Sequence, residues 1–163
     1  MNTRCKIRGM ITVLTLVIIA LSCAHANSVT MYVLCSPAGE VNIRDRPSSK
    51  GEYEGYLTLG DTVTVENTKT DNIGREWCFC AGLGVEAGEG WVCAGYLVSD
   101  PINAIEYNGI IDASGRVAAY NYIGGERHWL KVGTSITVYA TGGEWAFTDY
   151  GYVRSEYITQ IDK

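Results

Sequence analysis

Two stretches, Tyr56-Leu57-Thr58-Leu59-Gly60-Asp61-Thr62-Val63-Thr64-Val65 and Trp129-Leu130-Lys131-Val132-Gly133-Thr134-Ser135-Ile136-Thr137-Val138, agree in kind at every apolar position and carry a glycine in the same register. Val63 and Val65 alternate with Thr62 and Thr64, as Ile136 and Val138 alternate with Ser135 and Thr137. A period of two buries one face of a strand and wets the other. Gly60 and Gly133 stand where a turn enters that strand, a place for backbone angles that a Cβ resists.

The likeness extends outward. Trp77 follows the first stretch and Trp145 the second. Each copy closes on an aromatic–Val pair with a second aromatic five residues after the first: Trp91-Val92 then Tyr96-Leu97, and Tyr152-Val153 then Tyr157-Ile158. Loops differ in length while the blocks keep their spacing, which predicts duplication of one folding unit. No helical stripe follows residue 27, and Gly, Asp, Asn and Ser punctuate the short apolar runs. The expectation is an all-β chain of two tandem small β-barrels, residues 27–99 and 110–163, joined by a linker over 100–109.

Residues 1–26 read as a secretory signal peptide. Arg4, Lys6 and Arg8 precede an apolar run from Met10 to Cys23, and Ala24-His25-Ala26 offers small residues at the two cleavage-reading positions. The run is short for a membrane span, which needs ~20 residues, so no stable span is expected. Acylation of Cys23 is the weaker alternative, because Ala20 and Leu21 fit a lipoprotein signal poorly. Removing the leader takes away three basic and no acidic residues, leaving ten Lys and Arg against 18 Asp and Glu. The formal charge is then −8, where the whole chain has −5. Such a surface repels nucleic acid and anionic lipid, and no basic stretch interrupts it.

Val41-Asn42-Ile43-Arg44-Asp45-Arg46-Pro47-Ser48, Gly55-Tyr56-Leu57, Gly60-Asp61-Thr62-Val63-Thr64-Val65, and Gly90-Trp91-Val92 with Gly95-Tyr96-Leu97 together resemble the bacterial SH3-like (SH3b) domain family. Four separated blocks occur in order over residues 39–98. The second copy resembles the family from Trp129 to Ile158 only, since Arg116-Val117-Ala118-Ala119-Tyr120 lacks the Asn, Arg and Pro of the first strand. The resemblance implies a small curled barrel and a binding role, in many members attachment to cell-wall peptide.

Cys35, Cys78, Cys80 and Cys93 remain after the leader, an even number in an exported chain, and disulfides are the default. Cys78 and Cys80 on one strand would sit ~6.5–7 Å apart, at the limit for a bridge. One is therefore expected to pair with Cys35 and the other with Cys93, in either order. Such bridges would stabilise a small barrel by roughly 3–4 kcal/mol each. A four-thiolate zinc site is the lesser alternative, because Cys-x-Cys is not the usual knuckle spacing; no metal or cofactor is expected.

Little catalytic chemistry is on offer. The only histidine after the leader, His128, falls beside Trp129 in an expected turn, where solvation is commoner than catalysis. Glu52, Glu54, Glu86 and Glu89 fall in expected loops without a cleft to raise one carboxyl. Asp71-Asn72 and Asp112 are turn formers before they are calcium ligands, and no helix start follows Gly39, Gly55 or Gly60 to cradle phosphate. With no catalytic residue assigned, what remains is aromatic surface: four tryptophans and eleven tyrosines. Trp77, Trp145, Val92 and Val153 are expected in the cores. Tyr53, Tyr56, Trp91 and Tyr96, with Asn42, Arg44 and Asp45, are expected to form a groove suited to an extended peptide or sugar.

The leading expectation is thus a secreted or cell-envelope, non-enzymatic module that recognises peptide or glycopeptide, peptidoglycan foremost. The alternative is an acidic adaptor or inhibitor acting on a secreted protein partner of basic charge.

Overall fold

The computed structural model describes residues 28–83 and 88–161. The leader expected over 1–26, with Cys5 and Cys23, lies outside the described residues, as does Glu86 in the glycine-rich loop. The described chain is all-β, its only helical turns being the three-residue Ala94–Tyr96 and Ser155–Tyr157.

The first half forms one antiparallel sheet from β1 (Val29–Val33), β2 (Val41–Arg44), β3 (Tyr53–Leu57), β4 (Thr62–Thr70), β5 (Glu76–Ala81), β6 (Glu89–Cys93) and β7 (Leu97–Val98). Their order across the sheet is β3-β2-β6-β5-β4-β1-β7. The second half supplies β8 (Tyr107–Ile111), β9 (Val117–Tyr120), β10 (Arg127–Leu130), β11 (Ser135–Gly142), β12 (Trp145–Thr148), β13 (Gly151–Arg154) and β14 (Ile158–Gln160). Its order, β10-β9-β13-β12-β11-β8-β14, is the first with seven added to every strand number. The terminal strands of a sheet do not pair with each other, so hydrogen bonding closes neither into a barrel.

The alternation read from the sequence places the cores. Val63 and Val65 point inward from β4, with Val33, Val41, Ile43, Leu57, Val92 and Leu97. Ile136 and Val138 do the same from β11, with Ile111, Val117, Leu130 and Val153. The first cluster draws on all seven strands of its sheet, and no long helix among the described residues covers that face. A sheet with one apolar face and no second layer buries it by curling over itself. The long strands bend to allow this: β4 bulges between Val65 and Asn67, and β11 between Val138 and Ala140. Gly60 and Gly133 take φ of +86° and +79° at the turns into these strands, the left-handed region that only glycine enters without strain.

A third cluster joins the halves. Leu34 and Val98 from the first meet Ala140 and Tyr152 from the second, all buried. Tyr152, 1% exposed, donates its hydroxyl hydrogen to the carbonyl of Leu34 at 2.6 Å. Ile123 N–H donates to the Gly95 carbonyl at 2.9 Å. A Cβ on Gly95 would lie 2.5 Å from the Tyr122 ring, so the approach requires a glycine. The segment between the sheets is pinned as well: Asn103 and Thr141 exchange backbone hydrogen bonds of 2.8 and 2.9 Å.

Candidate functional site

Alternation that sends Val41 and Ile43 inward sends Asn42 and Arg44 to the outer face of the first sheet. Across β3, Asn42 stands opposite Tyr56 and Arg44 opposite Tyr53. Across β6, Arg44 stands opposite Trp91, which in turn faces Phe79 on β5. The register therefore lays Tyr53, Arg44, Trp91 and Phe79 in one row, three inter-strand steps of ~4.8 Å.

The row is not uniformly open. Tyr53 and Tyr56 are 55% and 48% exposed, whereas Trp91 is 8% exposed. Trp91 packs on Phe79 with ring centroids 5.3 Å apart, and the Lys69 ammonium lies 5.3 Å from its centroid. Trp77, expected in the barrel core, is buried on this outer face with Trp91 and Cys93. It sits one residue out of phase with Cys78, and Cys78 is the neighbour that points inward.

The expected groove divides in two. Asn42, Arg44 and Tyr96 gather with Trp77 around a pocket of about 160 Å³. Tyr53 and Tyr56 line a separate depression beside Leu57 and Asp61. The first pocket is small because Tyr122, from the loop between β9 and β10 of the second sheet, reaches its wall and packs on Tyr96 at 5.9 Å. Arg44 holds a loop rather than standing free, its Nη1 donating to the Gly51 carbonyl at 3.2 Å. Asp45 serves the same loop, accepting the Glu52 N–H at 2.7 Å.

Below the pocket, Asp71 organises the β4–β5 turn. Its Oδ1 accepts the N–H groups of Ile73 (3.0 Å) and Arg75 (2.9 Å). Its Oδ2 accepts Arg75 Nε at 2.9 Å and the Trp77 indole N–H at 3.1 Å. Burial by itself pushes the carboxyl up; these donors outweigh it and hold Asp71 at about 2. Arg75 also donates to Ser49 Oγ at 2.9 Å, tying the turn to the loop after β2. The sequence signal for this network was the Asp71–Gly74 turn; its link to Trp77 needed the hairpin register.

The four thiols expected to pair lie on different faces of the first sheet. Cys35, Cys78, Cys80 and Cys93 are buried free thiols. Cys78 and Cys80 do share the inner face of β5, but Cys93 faces outward beside Trp77, with the sheet between them. The Cys35 thiol points to the carbonyls of Ser36 and Gly39, and the Cys80 thiol to that of Cys78. Burial, then the Asp61 charge, pushes Cys35 up to about 11; burial, then Glu76, does the same for Cys78. Burial and neighbouring Cys78 push Cys80 to about 12. His128, expected in a turn, lies within β10, its ring 6.4 Å from that of Tyr150.

The second sheet repeats the outer-face geometry with different residues. Val117 faces Leu130 and Ala118 faces Trp129, as Val41 faces Leu57 and Asn42 faces Tyr56. Tyr120 faces Tyr152 where Arg44 faces Trp91, and Trp145 faces Arg154 where Trp77 faces Cys93. Trp145, expected in a core, is half-buried on this face. The resulting groove, with Tyr157 at its side, encloses about 550 Å³. The sequence does not mark this groove directly, because β9 lacks the Asn and Arg of β2. The equivalence of Trp77 with Trp145 and of Tyr96 with Tyr157 was the signal that marked it.

No family model matches the chain, and no curated protein does. Among solved structures, NlpC2 and NlpC1 from Trichomonas vaginalis each reach a TM-score of 0.36, at 9% and 10% identity. They cover 86% and 87% of this chain and 52% and 50% of their own. An autolysin from Listeria monocytogenes reaches 0.31 at 14% identity, covering 83% of this chain and 64% of its own. The chain thus spans half to two thirds of the length of these proteins.

Proposed function

We propose that this is an exported, non-catalytic binding protein whose ligand is peptide or glycopeptide, cell-envelope peptidoglycan foremost. In this proposal residues 27–99 and 110–163 are duplicated SH3-like barrels of the SH3b type, each a curled open sheet around its own apolar cluster. The observation that carries it is the outer face of both sheets, where aromatic rings occupy register-equivalent positions (Tyr56 and Trp129, Trp77 and Trp145) and an arginine from a non-equivalent position lies over an indole, Arg75 on the first and Arg154 on the second. Flat apolar faces with a few convergent polar groups suit sugars and extended peptides. Thiols that are buried and pushed well above neutral are poor nucleophiles, which supports binding over catalysis.

The test is co-sedimentation of the protein with purified intact peptidoglycan at physiological salt, while soluble fragments are monitored. The expected result is retention without release of fragments. Release would make the protein an enzyme. Absence of retention, with binding to a basic secreted protein that collapses on adding salt, would move the function to the acidic surface.

A further inference from the structure

The groove on the second sheet differs from its counterpart in size, exposure and charge. Its volume of about 550 Å³ falls within the ~300–1,000 Å³ of small-ligand sites. Trp129 is 52% exposed, and the Arg127 guanidinium lies over one face of its ring at 5.0 Å. Arg154 lies over Trp145 at 4.7 Å, and Trp145 meets Tyr120 edge-on at 84°. The floor is small: Ala113, Gly115 and Ala118. Arg154 is paired with Glu144. Arg116, exposed at the groove, has no ion-pair partner among the described residues. An unpaired guanidinium beside the half-exposed Trp129, one face of which Arg127 covers, is complementary to a ligand with an apolar ring face and a negative group.

We infer that the second-sheet groove bounded by Arg116, Tyr120, Trp129, Trp145, Arg154 and Tyr157 binds a carboxylate-bearing saccharide. This rests on the binding role proposed above and assigns it a site and a ligand chemistry. A sugar ring stacks on the indole faces through its C–H surface, and its carboxylate accepts hydrogen bonds from Arg116. The Ala/Gly floor leaves room for a rigid ring beside Trp129 and the Tyr120–Trp145 pair. Extended peptides are usually held by a strand edge or a series of side-chain pockets.

The experiment is a titration of the protein with N-acetylmuramic acid and, separately, N-acetylglucosamine, which lacks the carboxylate, followed by the indole N–H resonances in nitrogen-15 NMR. The acidic sugar is expected to move the Trp129 and Trp145 signals and leave Trp77 and Trp91 in place. The neutral sugar should bind at least tenfold more weakly. Arg116→Gln should erase that preference, and Trp129→Ala should abolish the response, both exposed positions whose spectra report an intact fold. Equal response to the two sugars, or a response confined to Trp77 and Trp91, would overturn the inference. So would an acidic pentapeptide that binds this groove tenfold more tightly than the acidic sugar. Loss of the sugar preference without loss of retention on peptidoglycan would refute this site and leave the broader binding role standing; a response to the sugar without retention would do the reverse.

Discussion

The outer faces of the two sheets share a strand order and differ in what they leave open. On the first, Asn42, Arg44 and Tyr96 surround a pocket that Tyr122 narrows to about 160 Å³. On the second, alanine replaces asparagine at position 118, tyrosine replaces arginine at 120, and the groove stays about 550 Å³. Charge separates them too. Residues 27–99 carry ten acidic and five basic side chains, residues 110–163 six and five. All four cysteines of the described chain belong to the first half, Cys35 after β1 and the others on β5 and β6. One topology thus supports two surfaces: the first is narrowed by Tyr122 from the other half, while the second gives Tyr152 to the seam and keeps Trp129 and Tyr157 exposed. The lesson is that the copy with the stronger family pattern is not the copy with the larger groove.

The largest expected effect severs the contact that makes the faces unequal. Tyr152→Ala removes a buried ring and the hydroxyl held by Leu34, and is expected to cost ~3–5 kcal/mol in chemical denaturation. Tyr152→Phe, which leaves the Leu34 carbonyl without its donor, should cost ~1–3 kcal/mol. If both variants unfold like the parent, the seam contributes nothing and the comparison loses its basis.

Tyr122→Ala should make the faces more alike at a smaller cost, ~1–2 kcal/mol. Acrylamide should then quench Trp77 more readily while Trp129 is unchanged. No change at Trp77 would mean that Tyr122 does not close the first pocket.

Asp71 supplies the pH dependence peculiar to the first sheet. Its carboxyl sits at about 2, below the ordinary 3.8, so its contribution is fully present above 3.8 and is lost as pH falls through 2. The stability gap between the parent and Asp71→Asn should therefore narrow between pH 4 and pH 2. A gap constant with pH would leave only the turn geometry to explain Asp71.

The thiols sharpen the contrast without changing stability. Intact mass under non-reducing conditions should show Cys35, Cys78, Cys80 and Cys93 unbridged, and thiol reagents at pH 8 should react only after unfolding. Two disulfides would refute the arrangement on β5 and β6. Smallest of all, Tyr53→Ala and Tyr56→Ala should each lie within ~0.5 kcal/mol of the parent, because both rings are about half exposed.

Strand positions and their inner faces were legible because side-chain direction alternates locally. Val63, Val65, Ile136 and Val138 declared the core without reference to any distant residue. Gly60 and Gly133 were legible for a similar reason: a left-handed turn is a property of one residue's backbone. The groove was only half legible. Alternation put Asn42 and Arg44 on one face, but the burial of Trp91 depends on Phe79 and Lys69 from other strands. The placement of the thiols was not legible, because a count of cysteines carries no information about faces, and the sheet separates Cys93 from Cys78 and Cys80.

By itself, then, the sequence determined an all-β chain, the residues that alternate into its cores, and the matching positions of Trp77 and Trp145. Those are short-range facts, set by the period of a strand and the angles a turn demands. Tertiary structure alone decided which outer face is open, since that depends on Tyr152 docking under Leu34 and on Tyr122 reaching Tyr96. Both contacts join residues far apart in the chain, and only packing of one curled sheet on the other brings them within reach.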